Sequence, residues 1–252
     1  MSRAVGPGEA SVAGLRWLAS VGPAPLDAWG VAMGWASPTT FSHASRLLRA
    51  GWAQSCATRR GAGSLIYATR TGVKIAGAAA SPLAAEPAPT TWAHCAACAW
   101  TAAWLTARGR QIVGTRELLM DDTWRAELEW LERGGMRRRG HRPDLAAGII
   151  AGGSLMPIEV ELATKSTVRL KAILGLHASW IAASKTGAVI YICDTAKLAA
   201  RVRDQAAHVG LSTERKTLRI ELLDTIRDAA LATRAAGTSA AHQSPDDDRG
   251  GI

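Results

Sequence analysis

The segments His141-Arg142-Pro143-Asp144 and Pro157-Ile158-Glu159-Val160-Glu161-Leu162, with Ala151-Gly152-Gly153-Ser154 between them, decide how the second half of this chain folds. Both read as strands. A two-residue turn at Gly152-Gly153 would join them as a hairpin that sets Asp144 opposite Glu161, with Glu159 on the diagonal. Alternation puts Glu159 and Glu161 on one face, and Ile158, Val160 and Leu162 on the other. Carboxylates this close repel unless something positive sits between them. A hard divalent cation with oxygen ligands is the simplest remedy, and Mg2+ beside a phosphate is the usual use of such a cluster. A solvated hairpin face is the competing explanation.

Outward from this hairpin, the C-terminal side reads as alternating helix and strand. A helix is expected from Ser166 to Trp180, with Thr164 or Ser166 as its cap and Arg169 and Lys171 on its surface. The apolar run Ala188–Cys193 has the length of a buried strand; Ala196–Val209 reads as a helix and Leu218–Leu223 as a last strand. On the N-terminal side, Arg137-Arg138-Arg139 reads as a solvated loop or a phosphate-backbone contact, and Trp124–Trp130 as a strand or irregular segment. Glu117 falls in a helical stretch, Thr115–Met120, and Trp92–Thr106 reads as a largely buried helix. Residues 92–232 are therefore expected to form an α/β sandwich, and 233–252, rich in Ala, Gly, Ser and Asp, a disordered tail.

The Pro/Ala-rich stretch 78–91 suits neither helix nor strand, and a domain boundary is expected there. Before it, residues 12–77 read as three helices, two strands and a further helical turn. Ser37-Pro38-Thr39 caps the third helix, which runs to Arg49 with Phe41, Leu47 and Leu48 facing the core and His43, Arg46 and Arg49 facing outward. The strands 52–56 and 64–69 are joined through Arg59-Arg60-Gly61.

The chain has 252 residues, 30 Lys and Arg against 21 Asp and Glu, a formal charge of +9 and a pI near 10. Such an excess favours a polyanionic partner over a small acidic substrate. Both halves share it, since residues 1–91 hold eight basic and three acidic side chains and residues 92–232 hold twenty and fifteen. Cys56, Cys95, Cys98 and Cys193 are too few and scattered for a disulfide framework, and Cys95-Ala96-Ala97-Cys98 lacks the second pair of a zinc site; they read as small core residues. With no signal segment and no apolar run long enough for a bilayer, a soluble cytoplasmic protein that meets no membrane is expected. There is no internal repeat, no phosphate-binding glycine loop and no dinucleotide fingerprint.

The element order of residues 12–77 resembles a winged helix-turn-helix domain, whose third helix enters the major groove and whose basic hairpin is the wing. The strands of Pro143-Asp144 and Glu159-Val160-Glu161 and the helix after them resemble the core of the PD-(D/E)xK nuclease superfamily. Together with Trp92-Ala93-His94 and Thr164-Lys165-Ser166 they are similar, more closely, to the replication-relaxation family of bacterial plasmid and mobile-element proteins. The resemblance implies a winged helix followed by a restriction-endonuclease-like sandwich with a mixed central sheet. It implies double-stranded DNA as partner, contacted by His43, Arg46, Arg49, Arg59, Arg60, Arg137, Arg138 and Arg139, and plasmid replication or transfer proteins as further partners. It also implies a metal-dependent endodeoxyribonuclease, with Mg2+, or Mn2+ in its place, held by Asp144 and Glu159 and a third acid, Glu117. Glu161 stands where the superfamily has a lysine, so Lys165, or Lys171 further along, would supply the missing cation.

That departure leaves two outcomes open, a nuclease or nickase and a non-catalytic DNA-binding regulator with a degenerate nuclease fold. A protein-interaction scaffold that binds no nucleic acid is a third. His141 reads as a surface residue, a general base or a phosphate contact, His94 as a packed core histidine, and the ten tryptophans as core rather than base-stacking platforms.

Overall fold

The computed structural model describes residues 8–57, 64–78, 86–132, 134–148 and 154–241, with side chains to residue 236. Helix α1 (Glu9–Val21) buries Leu15, Trp17, Leu18 and Val21 along one stripe and stops at Gly22, whose φ of 104° no other residue adopts cheaply. A short strand β1 (Ala24–Pro25) leads into α2 (Leu26–Met33) and α3 (Ser37–Arg49), followed by β2 (Ala53–Ala57), β3 (Ser64–Ala68) and α4 (Arg70–Ile75). The three strands form one antiparallel sheet in the order β1-β3-β2, with Ala24 opposite Ile66 and Ala53 opposite Ala68.

In α3 the buried stripe is Thr40, Ala44 and Leu47, an i, i+4, i+7 spacing. Phe41 and Leu48, expected in the core, lie one position round the helix and are 65% and 38% exposed. The helix starts at Ser37 itself with Pro38 in its first turn, and no side chain caps it. Arg46 and Arg49 face solvent as expected, but His43 does not: its ring stacks on Trp35 at 4.1 Å and is hydrogen-bonded to Ser11. Arg59 and Arg60 lie outside the described residues.

The second half begins with α5 (Trp92–Thr106), β4 (Gln111–Val113), α6 (Thr115–Met120), β5 (Ala126–Glu132), β6 (Gly135–His141), β7 (Leu145–Gly148) and β8 (Met156–Glu161). It continues with α7 (Thr167–Ala182), β9 (Val189–Cys193), α8 (Ala196–Ala207), β10 (Leu218–Leu222) and α9 (Leu223–Ala241). The central sheet is mixed, in the order β10-β9-β8-β7-β4: β8, β9 and β10 run parallel, while β7 is antiparallel to β8 and to β4. Alternation along β8 and β9 divides the core. Ile158, Val160, Ile190 and Ile192 pack towards α5 and α9, whereas Tyr191 and Cys193 pack towards Leu170 and Leu174 of α7 and Leu198 and Val202 of α8.

Helix α5 joins the two halves. Its residues Ala97–Ala99 and Thr101–Leu105 are buried, and a helix apolar on every side must be enclosed by protein. The alanines let α2, α9 and the sheet approach closely, and one continuous apolar cluster runs from Leu15 and Trp29 through Ala102 to Ile158 and Ile190. Close approach recurs at Gly114, where a Cβ would sit 2.2 Å from the Ser20 carbonyl oxygen at the end of α1. The boundary expected at 78–91 thus separates chain segments and not cores; of that stretch, 79–85 lie outside the described residues.

Three further expectations need correction. Arg137, Arg138 and Arg139 lie not in a loop but on β6, which pairs with β5 in a two-stranded ribbon that sets Glu129 opposite Arg138. Helix α9 continues through residues 233–241, held to α2 by an ion pair of Arg234 with Asp27, so the tail expected from Thr233 is helical there; 242–252 lie outside the described residues. The Gly152-Gly153 turn also lies outside them, but the register is visible: Leu145 faces Ile158, which brings Asp144 opposite Glu159 rather than Glu161. A two-residue shift keeps every side chain on its face, so the apolar pattern could not tell the two registers apart. No helix among the described residues is long and apolar enough to cross a membrane.

Candidate functional site

Asp144, Glu159, Glu161 and Lys165 line one cleft of about 920 Å3, with His94 at one wall and His141 and Arg139 at another. Asp144 stands at the start of β7 and is fixed from several sides. Its N–H donates to Ile158 (3.0 Å), its carbonyl accepts from Thr115 (2.7 Å), and its Oδ2 accepts the Val160 N–H (2.7 Å). Its Oδ1 meets His94 Nε2 at 2.9 Å, so His94 is a cleft residue, its side chain 42% exposed, and not the packed core histidine expected. That hydrogen bond raises the His94 pKa above its ordinary value, against burial, which lowers it. Cys98, one turn along α5, is buried beneath, its Sγ 3.6 Å from His94 Nε2, and burial pushes its thiol far up.

Glu159 is buried on the α7 side of β8 and accepts two histidines at one oxygen: His141 Nε2 and His177 Nε2 are each 2.9 Å from Oε1. Burial pushes the Glu159 carboxyl up, but the His141 charge and the two hydrogen bonds outweigh it and hold it well below the usual carboxylate range. For His141 burial works downward, and Glu159 lifts it above its ordinary value. Glu161, two residues on along the same face, is ion-paired with Lys165; its carboxyl is raised because burial outweighs that cation.

The linkage signs define a window. The Glu159 contribution, from a carboxyl below its unfolded pKa of 4.5, is present above pH 4.5 and lost as pH falls. The His141 contribution, from an imidazole above 6.5, is complete below pH 6.5 and lost as pH rises through the raised value. Chelator-treated protein should therefore be most resistant to urea between about pH 4.5 and 6.5. The alkaline decline should flatten in His141→Gln; an unchanged decline would mean that another group causes it.

Other expected residues sit elsewhere. Glu117 is no part of the cleft: it accepts from the Gly114 N–H (3.2 Å) and the Ser20 hydroxyl (2.8 Å), fastening the start of α6 to α1. Lys171 is exposed on α7 and does not line the cleft. On the ribbon, alternation sorts the arginines. Arg138 faces out and pairs with Glu127 and Glu129, Arg137 pairs with Glu132, and Arg139 borders the cleft with Trp130 and His141. None of the ten tryptophans is exposed, in keeping with a core role. His177 escaped the sequence reading altogether, because a lone histidine between Leu174 and Trp180 on a buried helix face looks like packing.

The chemistry of the donors bears on the expected Mg2+. Repulsion among the acids is already answered by protein groups: His94 for Asp144, His141 and His177 for Glu159, Lys165 for Glu161. An ion bridging Asp144 and Glu159 would find imidazole nitrogens 2.9 Å from those carboxylates, inside the shell Mg2+ fills with oxygen. The residues present do not fit a Mg2+ site.

Four Arg or Lys and four Asp or Glu line the cleft, so it is balanced before its histidines and turns positive as they protonate. No family model, curated protein or solved structure matches this chain, so its function has to be read from these residues.

Proposed function

We propose that this is a DNA-binding protein of the replication-relaxation type, in which residues 9–75 act as a winged helix on duplex DNA and the cleft acts on the phosphodiester backbone. The observation that carries it is α3, which turns Arg46 and Arg49 to solvent, contains no acidic residue, and stands beside a β2–β3 hairpin whose connection holds Arg59 and Arg60. An exposed cationic helix next to a basic hairpin matches major-groove docking with a flanking wing.

In the cleft, Arg139, Lys165 and Arg169 would hold phosphate oxygens, and His94, positioned by Asp144, would take the proton of the attacking water. Water adds to phosphorus and its proton passes to His94, the bond to the leaving sugar oxygen breaks, and that oxygen takes up a proton from solvent while the phosphate keeps the new hydroxyl. Plasmid replication or transfer proteins as partners belong to the same proposal. The second reading, a regulator with no cleavage, is favoured by the pairing of Asp144, Glu159 and Glu161 each with a histidine or lysine.

Retention on DNA against salt, together with nicking of supercoiled plasmid with and without Mg2+, Mn2+ or chelator, tests both. Affinity should fall steeply with salt, and Arg46→Ala with Arg49→Ala should reduce the log–log slope by about 2. Asp144→Ala should keep retention and lose nicking. Retention that is weak and insensitive to salt would end the DNA proposal; retention with no nicking by any form would leave the regulator.

A further inference from the structure

We propose that His141, Glu159 and His177 form a binding site for a first-row transition metal ion of the Mn2+, Fe2+ or Co2+ class, distinct from the oxygen-ligated Mg2+ that the carboxylates alone would suggest. Three separate elements bring these donors to one point: His141 ends β6, Glu159 lies on β8 and His177 on α7. Their ligand atoms all lie within 4.8 Å of one another.

The spacing is compatible with ligands on a metal. With bonds of about 2.1 Å, two donors at right angles are about 3 Å apart, whereas tetrahedral ligands are about 3.4 Å apart. Both Nε2–Oε1 separations are 2.9 Å, a hydrogen-bond distance that an octahedral ion would also accommodate. Two imidazoles and one carboxylate suit iron, cobalt and manganese, and such a set leaves coordination positions open. The cluster borders the cleft, which His141 and Glu159 line and where Asp144 and Glu161 also stand.

A second observation sets this cluster apart from an ordinary buried hydrogen-bond network. His177 is fully buried, yet its Nδ1 has no partner among the described residues, nor has the hydroxyl of Tyr191, which lies beside Glu159 in register on β9. A network built only for stability satisfies its buried polar atoms. Here one carboxylate oxygen takes both histidine Nε2 atoms while the buried Tyr191 hydroxyl beside it goes without; His177 Nδ1, on the opposite edge of the ring from Nε2, points away from the three donor atoms.

The other cluster, His94, Cys98 and Asp144, is the weaker candidate. Its Cys98 thiol is buried and held protonated, and Asp144 already accepts a backbone N–H.

The test uses the untagged, chelator-treated full chain, with Mn2+ or Co2+ alone as the probe and calorimetry as the readout. One equivalent should bind, at least about tenfold more tightly than Mg2+, and His141→Ala should weaken it by a further tenfold or more. His141 is at the cleft edge, and circular dichroism checks that its variant is folded. As a measurement on the unmutated chain, Mn2+ should broaden the NMR signals of the His141 and His177 rings before those of His43 and His208. Absence of binding, a preference for Mg2+, or first broadening at His43 or His208 would overturn the site. So would loss of binding in His94→Ala with retention in His141→Ala, which would put the ion on the other cluster. DNA retention is read separately, so failure here and failure of the DNA proposal are distinct outcomes.

Discussion

Glu159→Ala should lower the unfolding free energy of metal-free protein by about 3–5 kcal/mol, the cost of removing one partner of a buried charged pair. The loss has a definite origin. His177 is fully buried and among the described residues its Nε2 has only the Glu159 carboxylate as hydrogen-bond partner; without it neither ring nitrogen has a partner among them. His141 loses the carboxylate that keeps it charged, so the deficit should be largest between about pH 4.5 and 6.5 and shrink as the imidazole sheds its proton. Glu159→Gln keeps an acceptor oxygen and should lose less. Because a domain is stable by only about 5–15 kcal/mol, the alanine variant should show a large drop in urea midpoint. Equal stability of the Glu159→Ala variant and the unmutated chain would mean that the histidines do not depend on this carboxylate.

The way that cluster eluded the sequence reading separates what local pattern encodes from what tertiary contact decides. The strand at Glu159-Val160-Glu161 was legible because alternation is a local property, and β9 because six consecutive apolar residues between Gly187 and Asp194 leave little else. Register was not, since strands buried on both faces tolerate a two-residue slip without exposing an apolar side chain.

The arginine strand β6 was missed for another reason. Arg137-Arg138-Arg139 has no strand propensity to show, and its conformation follows from cross-strand partners in β5, Glu129 and Glu127 among them. The histidines were misread because their partners are distant in sequence: His94 meets Asp144 fifty positions away and His177 meets Glu159 eighteen away. A signal existed in α9, where the alanines beyond Thr233 favour helix, but that composition also looks like low complexity, and docking on α2 and α5 decides between the two.

Trp29→Ala should cost about 3–5 kcal/mol, and its effect should reach the far side of the molecule. Trp29 is fully buried on α2, donates its indole N–H to the Gly14 carbonyl at 3.1 Å, and meets Trp35 edge-on at 5.1 Å. Its removal leaves a cavity in the apolar cluster that α5 carries into the central sheet, where Ile158 and Ile190 belong to the same core. Loss of packing there is felt by whatever unfolds together with α2. Hydrogen exchange should accordingly show β9 amides losing as much protection as those of α1, with one unfolding transition for both. Full protection retained in β9 while α1 and α2 exchange freely would mean that the halves unfold separately, and that α5 belongs to the sheet alone. The same result would place the half that carries Arg46 and Arg49 on a unit able to move against the cleft; a single transition fixes those arginines in a constant position relative to Lys165 and Arg139, as the proposed contact of both with one duplex requires.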